Sequence, residues 1–256
     1  MGRLQLFEFE DQSWFPQFLR NYGTDFLRFL SNKTHLFTPI LPLLEEGLQH
    51  SRTPHITDLG SGGGGPLLDL IPELRKKFPD LNFTLTDHFP NLPAFKLHHQ
   101  EELHIKYRET PVDVRNIPED LEGMRTLFLL LHHLKPQDAV SVLQNAVDTN
   151  SPIAVFEAQE RSAASIIAML LSPLSVLFTT PFIKPFSWGR LLFTYLIPIV
   201  PLFVLWDGIV SSLRTYSLRE MQQIIDRVQN RESFTWKTGR KRSGPGVIIY
   251  LLGYPE

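Results

Sequence analysis

The chain contains no cysteine. That excludes disulfides, zinc-thiolate and iron-sulfur centres and cysteine nucleophiles, and it fits an intracellular setting. There is no excess of charge of either sign: 25 Lys and Arg stand against 27 Asp and Glu, a formal -2. So balanced a chain does not suit a phosphate backbone as its main ligand, and no nucleic-acid partner is expected. The amino terminus, MGRLQLFEFEDQSWF, lacks an apolar h-region and a small-residue cleavage site, so the chain reads as mature from Met1 and cytoplasmic. No internal repeat is visible. With 43% hydrophobic and 20% charged residues over 256 positions, the composition is globular, with room for one large domain or two small ones.

What is present is an alternation of element types. Residues 12–50 predict two helical segments joined near Gly23 to Lys33, with Trp14, Phe18, Tyr22, Phe26 and Phe29 at helical spacing. From about 55 onward, short apolar runs closed by turns predict strands at 55–59, 82–86, 106–112, 126–131, 153–157, 234–237 and 247–252. Helices are predicted between them at 66–78, 90–102, 136–148 and 218–228. The last has Ser217 as N-cap with Glu220 completing a capping box, and Pro72 should kink or shorten the first. Such alternation predicts a parallel sheet.

One stretch breaks the pattern. Between Ser162 and Trp206 the only charged residues are Lys184 and Arg190, and the Phe and Pro in which the chain is rich, 19 and 20 in all, are dense there. Its two apolar runs, 166–183 and 191–206, each contain prolines and fall short of the roughly 20 clean apolar residues of a spanning helix, so a transmembrane hairpin is disfavoured. An insertion apolar nearly all round must bury itself against the amino-terminal helices, another subunit, a lipid surface or an apolar substrate.

The strongest local signal is Ile56-Thr57-Asp58-Leu59-Gly60-Ser61-Gly62-Gly63-Gly64-Gly65-Pro66. A strand ends, glycines turn the chain, and Pro66 opens a helix whose free N–H groups can sit beneath a ligand. Gly60, Gly62 and Gly65 also satisfy G-x-G-x-x-G, so a nicotinamide dinucleotide is one candidate. Asp58, two residues before the first glycine, would repel a pyrophosphate and suits a ligand carrying an ammonium or sulfonium group.

The D-x-G-x-G-x-G run at 58–64 resembles the first motif of class I S-adenosylmethionine-dependent methyltransferases, over about residues 55–160 and 215–254. The resemblance implies a Rossmann-like α/β fold: a seven-stranded, mostly parallel sheet with helices on both faces. It implies S-adenosylmethionine as cofactor, held by Asp58, Gly60, Ser61, Gly62 and Gly64, by Asp87 on the ribose hydroxyls, by His88 and Phe89 beside the adenine, and by Asp113 and Val114 on the adenine edge. Leu131 would complete that wall. His132 and His133 fall where the family's cleft opens, and either suits the base that a hydroxyl or phenol acceptor requires. Glu157, Gln159 and Glu160 form a second set, with Glu157 a candidate base and Arg161 able to neutralise them.

The substrate site in such enzymes is built from the segment before the first strand and from later insertions. Trp14, Phe18, Tyr22, Glu160 and Tyr195 are therefore the expected acceptor contacts, and a small hydrophobic molecule the expected partner. The expected domains are an amino-terminal helical cap at 1–54, a cofactor-binding domain at 55–161 and 207–256, and a hydrophobic lid at 162–206 with the option of peripheral membrane contact. No metal site is expected: His98, His99 and His104 with Glu101 and Glu102 match no ligand spacing and read as a solvated helix face. Arg240 to Arg242 read as a basic hairpin turn. O-, C- or N-methylation and the oligomeric state stay open. A nicotinamide-dependent oxidoreductase and a non-catalytic, membrane-associated protein are the alternatives.

Overall fold

In the computed structural model, which describes residues 2–101 and 105–256, seven strands pair into one sheet. They are β1 (His55–Leu59), β2 (Asn82–Thr86), β3 (Ile105–Tyr107), β4 (Met124–Phe128), β5 (Ile153–Glu157), β6 (Phe234–Ser243) and β7 (Gly246–Pro255). Their order is β3-β2-β1-β4-β5-β7-β6. The first five run parallel, and β7 lies antiparallel between β5 and β6. The chain reverses its winding direction between β1 and β4, where α/β sheets of this kind open a crevice at the strand carboxyl ends.

Strand residues alternate between two cores. On one face Ile56, Phe83, Met124 and Phe156 pack under α2 (Leu41–Gln49), α3 (Leu67–Lys77) and α4 (Leu92–Glu101). On the other, Leu59, Leu127 and Val155 pack under α5 (Pro136–Asp148) and α10 (Leu218–Ile225). A third core joins α1 (Gln17–Lys33) to the insertion: Phe15, Leu19 and Phe26 meet Val176, Ile183, Val200, Phe203 and Val204. The insertion holds α6 (Ala163–Leu170), α7 (Ser172–Thr179) and α8 (Trp188–Leu191), and α9 (Ile199–Arg214) leads back to the sheet. Arg190 and Asp25, both buried, tie the two parts by an ion pair of 2.8 Å.

Several elements differ from expectation for local reasons. Helix α1 runs unbroken through Gly23 and stops at Lys33, since Gly23 is where α9 passes: a Cβ there would lie 2.8 Å from the Phe203 ring. α3 carries Pro72 to Lys77 without stopping, because one missing hydrogen bond is outweighed by the burial of Leu67, Leu70, Ile71 and Leu74. β4 ends at Phe128, as Leu129 takes a φ of 54° and turns the chain into a short 3-10 turn over Leu131–His133. β3 ends at Tyr107, and beyond Pro111 the N–H of Val112 bonds to the Asp87 carbonyl at 2.8 Å. Arg240, Lys241 and Arg242 are rungs of the β6–β7 ladder, and only Gly244 and Pro245 form the turn.

The insertion also differs. Its α6, α7 and the 3-10 turn that follows run on as one helical stretch from Ala163 to Phe182, 20 residues with a mean hydropathy of 1.8 and only 11% buried, so together they have the length of a spanning helix. Its second apolar run is bent by 78° between 188–196 and 199–214, at Pro198.

Candidate functional site

A cavity of about 640 Å³ opens at the carboxyl ends of β1, β2 and β4 and extends beneath the insertion. Its floor is the glycine loop. Gly60 takes a φ of 70°, and a Cβ there would lie 2.7 Å from the Leu130 side chain, so both the turn and the packing beside it call for glycine. Ser61 fastens the loop to the sheet, its hydroxyl donating to the Asp58 carbonyl at 3.0 Å and accepting the Thr86 N–H at 3.2 Å. His98 holds the other side through Nε2 and the Gly63 carbonyl at 3.0 Å. It is buried rather than on a solvated face, because Gly64 leaves no Cβ where its ring lies. His104 and Glu102 lie outside the described residues.

Asp58 and Asp87 supply charge to this end. Asp58 is buried with the Thr126 hydroxyl donating to it at 2.6 Å, and burial raises its pKa to about 7. Asp87 accepts the Gly62 N–H on Oδ2 and the Phe89 N–H on Oδ1, both at 2.7 Å, which fixes its carboxylate while leaving a lone pair on each oxygen. His88 and Phe89 line the cavity, and Arg20 covers one face of the Phe89 ring at 3.8 Å.

Asp113 and Val114 also line it, but Asp113 follows β3 in a loop and its carboxylate is gripped by Arg115 at 2.5 to 3.1 Å, which holds its pKa below the usual range. Gly64 and Leu131 lie off the wall. The first faces His98, and the second is a fully buried member of the core under α5.

The two histidines after β4 have different surroundings. The ring Nδ1 of His132 lies 2.7 Å from Oε2 of Glu157, and its backbone N–H donates to Oε1 at 3.0 Å. A carboxylate only accepts, so Nδ1 carries the proton. Nε2 of His132 is buried without a hydrogen-bond partner, and Glu8 Oε2 lies 3.9 Å away. Glu157, fully buried, stands behind the ring and does not reach the cavity.

His133 instead bonds to Asp11 at 2.7 Å with Glu8 at 3.5 Å; burial opposes its charge, yet the two carboxylates raise its pKa to about 10. Arg214 closes this group, its guanidinium on Glu8 at 3.1 Å, on Asp11 at 2.6 Å and on the His132 and His133 carbonyls. Glu8, His132 and His133 bring three ligand atoms within 4.8 Å, but Arg214 already supplies the cation to these carboxylates.

The far end of the cavity is apolar, walled by Phe26, Leu27, Ala168, Met169, Phe203 and Val204. Glu10 and Asp207 are its acidic members, and burial pushes both carboxyls up, with repulsion from Asp207 adding at Glu10 and repulsion from Glu8 adding at Asp207.

None of the five expected acceptor contacts lies on this wall. Trp14 projects outward against Phe9 and Phe15, and Phe18 packs on Phe193. Tyr22 receives the Ser187 hydroxyl, Glu160 pairs with Arg240, and Tyr195 donates to the Leu177 carbonyl. Arg161 pairs with Glu220 rather than with the carboxylates of β5. Helical spacing marks an aromatic stripe without saying what covers it. The residues not anticipated are Glu8, Glu10, Asp11, Asp207 and Arg214; Glu8 and Asp207 stand among apolar neighbours, where a charge is buried only when partnered, and the other three carry no such local signal.

No sequence-family model and no curated protein matches this chain. Solved structures do. The plantazolicin methyltransferase BpumL, in complex with SAH, superposes with a TM-score of 0.54 at 15% identity, over 93% of this chain and 88% of that one. BamL, a plantazolicin methyltransferase in complex with a triazolic desmethylPZN analog and SAH, gives 0.51 at 10% identity, over 94% and 99%. Human N-acetylserotonin methyltransferase, in complex with SAM, gives 0.50 at 15% identity over 90% of this chain but 55% of that one, so this chain spans about half the latter's length. The fold is that of the class I S-adenosylmethionine-dependent methyltransferases.

Proposed function

We propose that this chain transfers a methyl group from S-adenosylmethionine to a hydroxyl of a small, largely apolar acceptor, with His132 as general base. The observation that carries the reading is the free Nε2 of His132, held by Glu157 on the cavity that also contains the glycine loop and Asp87.

The residues fit the cofactor. Gly60, Ser61, Gly62 and Gly63 floor the cavity, Asp87 offers two oriented oxygens for vicinal ribose hydroxyls, and Asp58 is a buried carboxylate with no cationic partner among the described residues. Bound there, S-adenosylmethionine would supply an electrophilic methyl group on a positively charged sulfur. Methyl transfer is an in-line displacement, so this chain's work is to align the acceptor, exclude water and remove one proton. His132 takes the acceptor's hydroxyl proton on Nε2, and Glu157 fixes the tautomer and stabilises the imidazolium that results. His133, already protonated with Asp11, cannot act as base. Asp113 would hold the adenine edge only after Arg115 moves aside. The apolar wall from α1, α6 and α9 suits an aromatic, prenylated or acyl-chain acceptor, and Glu10 and Asp207 offer polar anchors.

Calorimetric titration with S-adenosylhomocysteine, run beside NADH, tests the cofactor. Micromolar binding of the former alone is expected, and binding of NADH alone or of neither would overturn the proposal. Transfer of label from S-adenosylmethionine to a panel of apolar phenols and alcohols then tests the reaction.

A further inference from the structure

The insertion has two faces with different neighbours. Inward, Ala168, Met169, Ser172 and Ser175 line the cavity, while Val176 is buried among Phe15, Leu19 and Phe26. Outward, Ile167, Leu170, Leu171, Leu174, Phe178 and Phe182 all project into solvent, Phe178 with 76% of its surface exposed.

We propose that this outer face is a membrane-docking surface: residues 162–206 lie in the acyl-headgroup boundary of a bilayer without crossing it. The cavity then lies directly behind the docked helix.

Four observations favour lipid over a second protein. The first is the length of the bare stripe. α6 has no buried residue, the whole 163–182 helix is 11% buried at a mean hydropathy of 1.8, and its exposed side chains recur along one face for its full length while the other face lies on the body. An apolar stripe of that length, bare on one side only, suits a helix lying in the plane of a membrane interface.

The second is charge. There is no Asp or Glu between Arg161 and Asp207. Of the two cations, Arg190 is buried on Asp25 and on the carbonyls of Ile183 and Pro185, and only Lys184 is exposed. A surface without carboxylates meets phosphate headgroups without repulsion.

The third is the aromatic content: Trp14, Trp188, Trp206 and Tyr195 are all exposed, and these amphipathic rings favour the headgroup level. The fourth is continuity. Phe7 packs on Trp206 at 5.4 Å and Phe18 on Phe193 at 5.2 Å, so the amino-terminal segment extends the apolar surface.

The helix has the length to span but is fixed along its side. Val176 is locked into the core with α1, and Asp207 accepts the N–H groups of Phe9 and Glu10 at 2.8 and 3.1 Å. Both ends of the insertion therefore return to the same edge of the sheet, and the helix lies along the surface. On the methyl-transfer reading, on which this last step alone rests, the acceptor is a lipid-soluble molecule drawn from that bilayer.

Flotation of the full chain with phosphatidylcholine vesicles, with and without phosphatidylglycerol, tests docking independently of turnover. We expect the chain to float with both and to stay bound at high salt, since one exposed lysine leaves little for salt to screen. Phe178→Glu, Trp188→Glu and Leu196→Glu combined, three positions each more than 70% exposed, should leave the chain at the bottom while S-adenosylhomocysteine titration is unchanged.

The proposal is overturned if the wild type stays at the bottom with both vesicles, floats only with the anionic ones and detaches in salt, or floats as well with the triple variant as without it. A dimer that this variant dissociates, with no flotation of the wild type, would make the face a self-interface instead. Should the variant lose its ligand binding, quenching of wild-type tryptophan by brominated acyl chains decides: the quenching should fall in Trp188→Phe, and no quenching would sink the idea. Loss of S-adenosylhomocysteine binding by a wild type that still floats would remove the methyl-transfer reading and leave docking intact.

Discussion

Glu157 holds His132 at two points, taking the backbone N–H on Oε1 at 3.0 Å and facing ring Nδ1 from Oε2 at 2.7 Å. The carboxylate thereby sets the imidazole's orientation and its tautomer together, and it leaves Nε2 as the unpaired nitrogen. His132→Ala should lower kcat about 10²–10⁴-fold with S-adenosylhomocysteine affinity unchanged, the span assigned to a lost general base. Glu157→Gln should lose a large part of that rate, because an amide can donate to Nδ1 and so present the wrong tautomer. Rates and ligand titration of both variants check this, and full turnover in either would remove His132 from the mechanism.

Asp87 spans the glycine loop and the turn after β2, accepting from Gly62 and Phe89. Replacing it with Ala removes the proposed ribose acceptors and two internal bonds. At about 1.5–3 kcal/mol for hydrogen bonds to a charged group, S-adenosylhomocysteine binding should weaken roughly ten- to a hundredfold. An affinity within twofold of the wild type by calorimetry would end the ribose assignment.

Asp58 makes the same affinity depend on pH. Burial raises its pKa to about 7, so the free protein holds a proton there at lower pH, and a cationic ligand favours the ionised form. Binding should release a proton and tighten as pH rises toward about 7, then level off above it. Titrations in buffers of differing ionisation enthalpy would show the release. Asp58→Asn should bind more weakly and lose the pH dependence.

His133 should matter to stability rather than to chemistry. Its pKa is raised from 6.5 to about 10, so its contribution is fully present below 6.5, declines as pH rises and is gone above about 10. Its partner Asp11 is shifted down from 3.8, so that side of the pair is lost as pH falls below that value. The gap in unfolding free energy between wild type and His133→Gln should therefore be widest between pH 4 and 6.5 and shrink toward 10. Urea denaturation across pH measures it, and a gap that widened toward pH 10 would contradict the assignment.

How far the site could be read from sequence follows the range of the interactions. The glycine loop, Asp58 and Asp87 were legible because their signal is local, a strand end followed by a turn whose φ values need glycine. The position of His132 and His133 was legible too, but not which one stays neutral. That depends on Glu8 and Asp11 reaching them from the amino terminus. Phe26 and Phe18 lie on one helix at similar spacing, yet Phe26 is in the core that α1 shares with the insertion and Phe18 is exposed. Which side the insertion covers is decided by tertiary packing, and none of the expected acceptor contacts lines the cavity.

The Asp25–Arg190 pair is the link that sets where the insertion packs. Both side chains are buried at 2.8 Å, Asn91 donates to Asp25 at 3.1 Å, and Arg190 also donates to the Ile183 carbonyl at 2.6 Å. Burial raises Asp25, and the cations Arg28 and Arg190 oppose that rise, so removing Arg190 leaves a carboxylate poorly compensated in the interior. Arg190→Met should cost about 3–5 kcal/mol, the range for breaking one side of a buried pair. Asp25→Asn combined with Arg190→Met should cost less than the sum of the single changes, since neither charge is then left alone. A double-mutant cycle from urea denaturation gives the coupling. Because the pair joins α1 to the insertion and not to the sheet, S-adenosylhomocysteine binding should survive in the double variant, and turnover, which needs the cavity roof in place, should fall further than binding does. If the changes were simply additive, the insertion would be held by the apolar contacts of Val176 and Phe203 alone, and the ion pair would have no part in placing it.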